Sequence, residues 1–160
     1  MNISVTGSRN YPATQEEWNA LADTDRLEQI GRTQAMVADF ISNFPEGTTV
    51  VSGGARGIDS YAIASAEERG LDTVVFPAEW DKYGKGAGFR RNKQIALRAD
   101  ECLVFWDGSS GGTRNFMRHA FDLRRPLYII GPDGVPWAEF DAEFYDKEGA
   151  SPRMDIPRSR

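Results

Sequence analysis

The chain has 160 residues and a mass of 17.8 kDa, enough for one domain with its own core and too little for a second independent one. A single cysteine, Cys102, and a single histidine, His119, exclude an internal disulfide and a multi-cysteine zinc site, so no metal centre is expected. Apolar runs stop well short of the roughly 20 residues that cross a bilayer, the start Met-Asn-Ile-Ser-Val-Thr-Gly does not read as a secretory signal, and the net charge of −5 argues against a surface coated in basic charge. A cytoplasmic protein without membrane association is the expectation, and any anionic ligand must be gripped locally.

Residues 2–6 alternate in strand fashion and run into Gly7. Thr14-Gln15-Glu16-Glu17 fits a capping box and predicts a short helix over 15–22. A longer helix is predicted after Asp25, with Leu27, Ile30, Val37, Ile41 and Phe44 as one apolar stripe, ended by Pro45-Glu46-Gly47. Strand character returns at 48–52, 73–76, 102–106 and 127–130. Helices are predicted between these strands, over 58–69, 90–98 and 112–123. Parallel strands cannot be joined by tight hairpins, so this alternation predicts an α/β fold: a Rossmann-like open parallel sheet of about five strands with helices on both faces. The strand order is left open. After the turn Gly131-Pro132-Asp133-Gly134, the aromatics Trp137, Phe140, Phe144 and Tyr145 can form a helical stripe, packed on the sheet or serving a dimer surface. A single domain over 1–150 and a loose tail over 151–160 are expected.

In such sheets ligands collect beyond the carboxyl ends of the strands. Three predicted strands end there in glycine-bearing loops: Gly7-Ser8-Arg9-Asn10, Ser52-Gly53-Gly54-Ala55-Arg56-Gly57-Ile58-Asp59, and Asp107-Gly108-Ser109-Ser110-Gly111-Gly112-Thr113. Glycine lets the backbone approach a ligand, and the helix that follows offers free amides and a positive dipole end, so each loop can cradle a phosphate. The dinucleotide fingerprint is broken by Ser52 where its first glycine belongs, and Gly84-Lys85-Gly86 lacks the Gly-Lys-Ser/Thr ending of a P-loop. No cofactor is implied. Arg9, Arg56, Lys82, Arg90, Arg91 and Lys93 are the available cations, and Trp80 and Tyr83 can stack on a base or pack their own loop.

Together with Phe76-Pro77-Ala78-Glu79-Trp80, Tyr83-Gly84-Lys85-Gly86-Ala87-Gly88 and Arg91-Asn92, these loops resemble the YspA/YpsA-related branch of the SLOG superfamily over about residues 1–131. The superfamily includes the Lonely Guy phosphoribohydrolases and the DNA-processing protein A family, so the resemblance implies a pocket for a nucleotide or nucleotide-derived ligand. The phosphoribohydrolases carry Pro-Gly-Gly-x-Gly-Thr-x-x-Glu, and Phe116 stands where that catalytic glutamate belongs. A phenyl ring neither activates water nor stabilises an oxocarbenium ion.

Nucleotide binding therefore ranks first. Gly7, Ser8, Arg9, Ser52, Gly53, Gly54, Arg56, Gly57, Asn92, Gly111, Gly112 and Thr113 build the ligand site, with Asp59 assigned to ribose and Trp80 or Tyr83 to the base. The enzyme alternative is N-glycosidic hydrolysis of a nucleoside 5′-monophosphate, with Glu79 or Asp81 as the substitute carboxylate and Arg91 as phosphate or transition-state partner. The third class is single-stranded DNA binding. By resemblance a homodimer is expected.

Overall fold

Two apolar layers, one on each face of the sheet, set the architecture. The computed structural model describes residues 1–137. Five parallel strands, β1 (Asn2–Gly7), β2 (Thr49–Ser52), β3 (Asp72–Val75), β4 (Glu101–Phe105) and β5 (Leu127–Ile130), form one sheet in the order β3-β2-β1-β4-β5. Ile3, Val5, Val50, Leu103, Phe105 and Ile130 meet α2 (Asp23–Ser42) and α3 (Ile58–Glu68) on one face. Val51, Cys102, Val104, Leu127 and Ile129 meet α5 (Ala87–Arg98) and α6 (Gly111–Asp122) on the other. Strands β2, β4 and β5 send alternate apolar residues to both layers, β1 sends Ile3 and Val5 to the first, and β3 sends Val74 to the second; the chain is an α/β protein with a doubly covered parallel sheet. Cys102 is buried in the second layer, where desolvation pushes its thiol up to about 12.

Several boundaries differ from the sequence reading. Helix α1 (Gln15–Ala20) has the expected capping box on Thr14 and Glu17 but stops two residues early. Helix α2 begins at Asp23, ahead of Asp25, and Phe44 lies beyond its last residue, still buried. Leu27 is not part of the apolar stripe: it is 69% exposed, while Thr33, Val37, Phe40 and Ile41 form the buried face. At 3.6 residues per turn Leu27 points roughly 80° away from Val37, whereas Ile30 lies within about 20° of it. A short helix α4 (Trp80–Tyr83) and a 3-10 turn (Gly84–Gly86) precede α5, which therefore starts at Ala87 and not at Arg90. Trp137 lies in an extended segment beside β5, its ring centroid 5.2 Å from that of Trp106. Phe140, Phe144, Tyr145 and the tail 151–160 lie outside the described residues. No helix among the described residues is long and apolar enough to cross a membrane.

The strand order reverses direction between β1 and β4. That places the switch point, where neighbouring loops turn to opposite faces and leave a crevice, beside the loops after Gly7 and after Phe105.

Candidate functional site

A cleft of about 460 Å3 opens at the switch point, lined from all three glycine loops and from α5. Its walls include Gly7 and Arg9 after β1, Asp59 in the first turn of α3, Arg91 and Asn92 on α5, and Gly112 and Thr113 on α6, with Trp80 at the rim.

The loop after β1 is held by its backbone, which leaves the Arg9 side chain exposed. The Ser8 amide donates to the Phe105 carbonyl (2.9 Å), and the Ser8 hydroxyl accepts from the Asp107 amide (3.1 Å), so the first and third loops are tied together. Gln29 of α2 donates to the Asn10 carbonyl (3.1 Å) and Thr33 to the Tyr11 carbonyl (3.2 Å). The buried Tyr11 hydroxyl donates to the Gly131 carbonyl. Gly57, at φ +85°, passes so close that a Cβ would sit 2.4 Å from the Arg9 carbonyl oxygen, so no other residue fits there without displacing the Arg9 loop.

The loop after β2 presents Asp59. This carboxylate is 4% exposed; Oδ2 accepts from the Ala55 amide at 3.2 Å, and Oδ1 has no hydrogen-bond partner among the described residues. Desolvation raises its pKa to about 6, against the opposing pull of the Ala55 amide and the Arg91 charge. Arg91 is fixed on two sides: Nη1 donates to the Gly53 carbonyl (2.7 Å) and Nε to Asn92 Oδ1 (3.1 Å). Asn92 in turn donates to the Gly112 carbonyl and to Asn115 Oδ1, both at 3.1 Å, and so locks α5 to α6. Arg91 Nη2 has no hydrogen-bond partner among the described residues.

The third loop is shaped by Asp107, whose Oδ1 accepts from the amides of Ser109 (2.8 Å) and Ser110 (2.7 Å). The first turn of α6 has no side-chain cap, so the amides of Gly112 and Thr113 retain their hydrogen-bonding capacity beside the cleft.

Of the residues singled out from sequence, Gly7, Arg9, Asp59, Trp80, Arg91, Asn92, Gly112 and Thr113 therefore share one cleft. Ser8, Ser52, Gly53 and Gly57 are buried behind it as loop structure, Gly54 is exposed at φ +71°, and Gly111 lies over a shallow depression with Arg114 and Arg118. Arg56 lines a side depression that Arg9 also borders. Glu79 and Tyr83 line an adjoining hollow with Arg90 and with Arg91, which borders both cavities; the Arg90 guanidinium lies 4.3 Å from the Tyr83 ring centroid. Asp81 is exposed and lines neither cavity. Phe116 is 1% exposed in the core. Sequence reasoning did not single out Asp107, Ser109, Ser110, Lys85 or Phe89 as ligand contacts, although all five line the cleft. Asp107 and the two serines stood inside a recognised glycine loop. Lys85 stood inside the quoted Tyr83–Gly88 motif, whereas Phe89 carries no comparable signal; the placement of both depends on the unanticipated 3-10 turn.

Comparison with known proteins agrees with this architecture. The model of the YspA, cpYpsA-related SLOG family matches residues 1–83. The Gene 61 protein of Mycobacterium phage D29 is 35% identical over 135 residues, covering 81% of this chain and 95% of that protein. Among solved structures, a molybdenum cofactor binding protein from Rippkaea orientalis superposes with a TM-score of 0.59 at 17% identity, over 92% of this chain and 86% of its own. DNA processing protein A from Helicobacter pylori, studied for its single-stranded DNA binding mode, gives 0.54 at 16% identity, over 94% and 74%. At these identities the two structures share the fold with this chain.

Proposed function

The chain belongs to the YspA, cpYpsA-related SLOG family, and from that premise we propose that the switch-point cleft binds a nucleotide or nucleotide-derived ligand by its phosphate. The supporting observation is the convergence of Arg9, Lys85 and Arg91 with the uncapped first turn of α6 on one cleft. None of these three cations has an ion-pair partner within 4.0 Å among the described residues. Two charged hydrogen bonds and a partly buried helix end contribute roughly 4 to 8 kcal/mol before ordering costs. Micromolar affinity takes about 8 kcal/mol, so the phosphate supplies most of the attraction and the sugar and base the remainder. Trp80 and Phe89, 52% and 53% exposed at the rim, offer apolar rings to a base.

Binding is favoured over N-glycosidic hydrolysis by Glu79 or Asp81 because of where those two carboxylates lie. Glu79 and Asp81 are outside the lining of the cleft, and the position of the phosphoribohydrolase glutamate is filled by a core phenylalanine. Calorimetric titration with the four nucleoside 5′-monophosphates and their parent nucleosides tests the reading. The nucleotides are expected to bind at least tenfold tighter than the nucleosides, with no free base on chromatography after incubation with excess protein. The reading is lost if no nucleotide binds and denatured protein releases no phosphorylated molecule detectable by mass spectrometry. Steeply salt-dependent binding of a labelled single-stranded oligonucleotide, with no response to mononucleotides, would replace it with the nucleic-acid alternative.

A further inference from the structure

Asp59 is left unexplained by phosphate binding. A carboxylate 4% exposed, bordering a cleft that gathers cations for an anion, repels the group those cations attract. The protein satisfies only half of it. Oδ2 has the Ala55 amide at 3.2 Å, while Oδ1 is buried without a partner; the Thr6 hydroxyl and Gly53 amide are near enough to favour the charged form, but neither closes a hydrogen bond to Oδ1. Arg91 does not fill the gap, because its Nη1 and Nε are committed to Gly53 and Asn92 and it forms no ion pair with Asp59 within 4.0 Å. A buried acceptor left open carries a desolvation cost that a bound group relieves only by bringing a proton donor. A fully ionised phosphate has none. The partner of Oδ1 is therefore a neutral donor elsewhere on the same ligand.

The sheet order indicates which one. Asp59 follows β2 and the α6 amide turn follows β4, with β1 between them, so the two loops start two strand spacings apart, roughly 9.5 Å. Asp59 and the α6 turn border the same cleft, and the neutral donors nearest a 5′-phosphate in a nucleotide are its ribose hydroxyls. We propose that Asp59 Oδ1 accepts a hydrogen bond from a ribose hydroxyl of the bound ligand, making Asp59 the residue by which the cleft selects ribonucleotides over deoxygenated sugars.

This inference rests on the phosphate reading of the same cleft, and the experiment separates the two. The wild-type protein is titrated with the four nucleoside 5′-monophosphates and with their 2′-deoxy, 3′-deoxy and 2′,3′-dideoxy forms. The dideoxy form of the tightest-binding nucleotide is expected to bind at least tenfold more weakly than its parent, the loss of one hydrogen bond to a charged acceptor. The two monodeoxy forms identify the hydroxyl. In Asp59→Ala, shown folded by circular dichroism, ribose and dideoxyribose forms should bind within twofold of each other. Equal binding of both forms by the wild type overturns the role of Asp59 and leaves the phosphate reading standing. Absence of binding by every nucleotide overturns both. The wild-type comparison decides the matter even if the variant does not fold.

Discussion

Replacing Asp59 by asparagine should stabilise the free protein, and by an amount that depends on pH. In the folded chain the Asp59 carboxyl is raised from 3.8 to about 6, chiefly by burial, with the Ala55 amide, the Arg91 guanidinium of α5, the Thr6 hydroxyl of β1 and the Gly53 amide acting in the opposite direction. Between about pH 4 and pH 6 the folded state holds this proton more tightly than the unfolded state does, so stability falls as pH rises through that window and is flat above it. A shift of that size corresponds to about 3 kcal/mol, an order-of-magnitude figure. The carboxamide of Asp59→Asn does not ionise and keeps an oxygen for the Ala55 amide. The variant and the wild type should therefore match near pH 4 and diverge by up to about 3 kcal/mol at pH 7.5, with each kcal/mol moving the melting temperature by roughly 2 to 4 °C in a chain of this size. Thermal melts followed by circular dichroism at pH 4, 5, 6 and 7.5, in buffers free of phosphate, give the difference directly. His119 titrates in both proteins and cancels. A variant less stable than the wild type at pH 7.5, or a gap that does not widen from pH 4 to 6, would refute the account of Asp59 as a desolvated, half-satisfied carboxylate.

Three further substitutions probe the cleft and its support. Gly53→Ala would bring a Cβ to 2.3 Å from Arg91 Nη1, so the guanidinium must move; nucleotide affinity should fall at least tenfold by calorimetry while the circular dichroism spectrum is retained. Asn92→Ala removes the bonds to Gly112 and Asn115 that join α5 to α6 and the acceptor that orients Arg91, and should cost about 1 to 3 kcal/mol in urea unfolding along with weakened binding. Phe116→Glu restores the residue type found in the phosphoribohydrolase motif but puts a carboxylate where a ring is 1% exposed; loss of stability by several kcal/mol is expected, and a stable variant that released free base from a nucleotide would show that this position faces the cleft after all.

The layered fold was readable because both halves of its pattern are local. Val50 and Val51, or Leu103 and Val104, are consecutive apolar residues that a doubly covered parallel strand sends to opposite faces, and the ten-residue helical stretches between such strands admit only crossover connections. Strand order carries no such mark. It depends on which faces α2, α3, α5 and α6 cover, a long-range packing outcome, and it alone places the switch point between β1 and β4. Leu27 shows the limit of a stripe read by spacing, since a residue can keep an acceptable interval from one neighbour and still have turned away from the face that the rest of the helix buries.

For the site, glycine and charge located the loops but not the direction of side chains. Glu79 and Tyr83 sit within four residues of Trp80 in sequence, yet the single turn of α4 sends them to the hollow beside Arg90 while Trp80 reaches the cleft and lies over Gly88, whose Cβ would come within 3.4 Å of the indole. A run of aromatic and charged residues with no regular period gives no means of dividing its members between two cavities. Asp59 is the opposite case. Its place in the first turn of α3 was legible, but a helix-dipole role would leave the carboxylate solvated and its pKa low, whereas burial with one oxygen unpaired raises it. The sign of that shift separates a solvated capping carboxylate from a desolvated one, and it is set by the packing of β1, α3 and α5 around Asp59, which no local pattern in the sequence records.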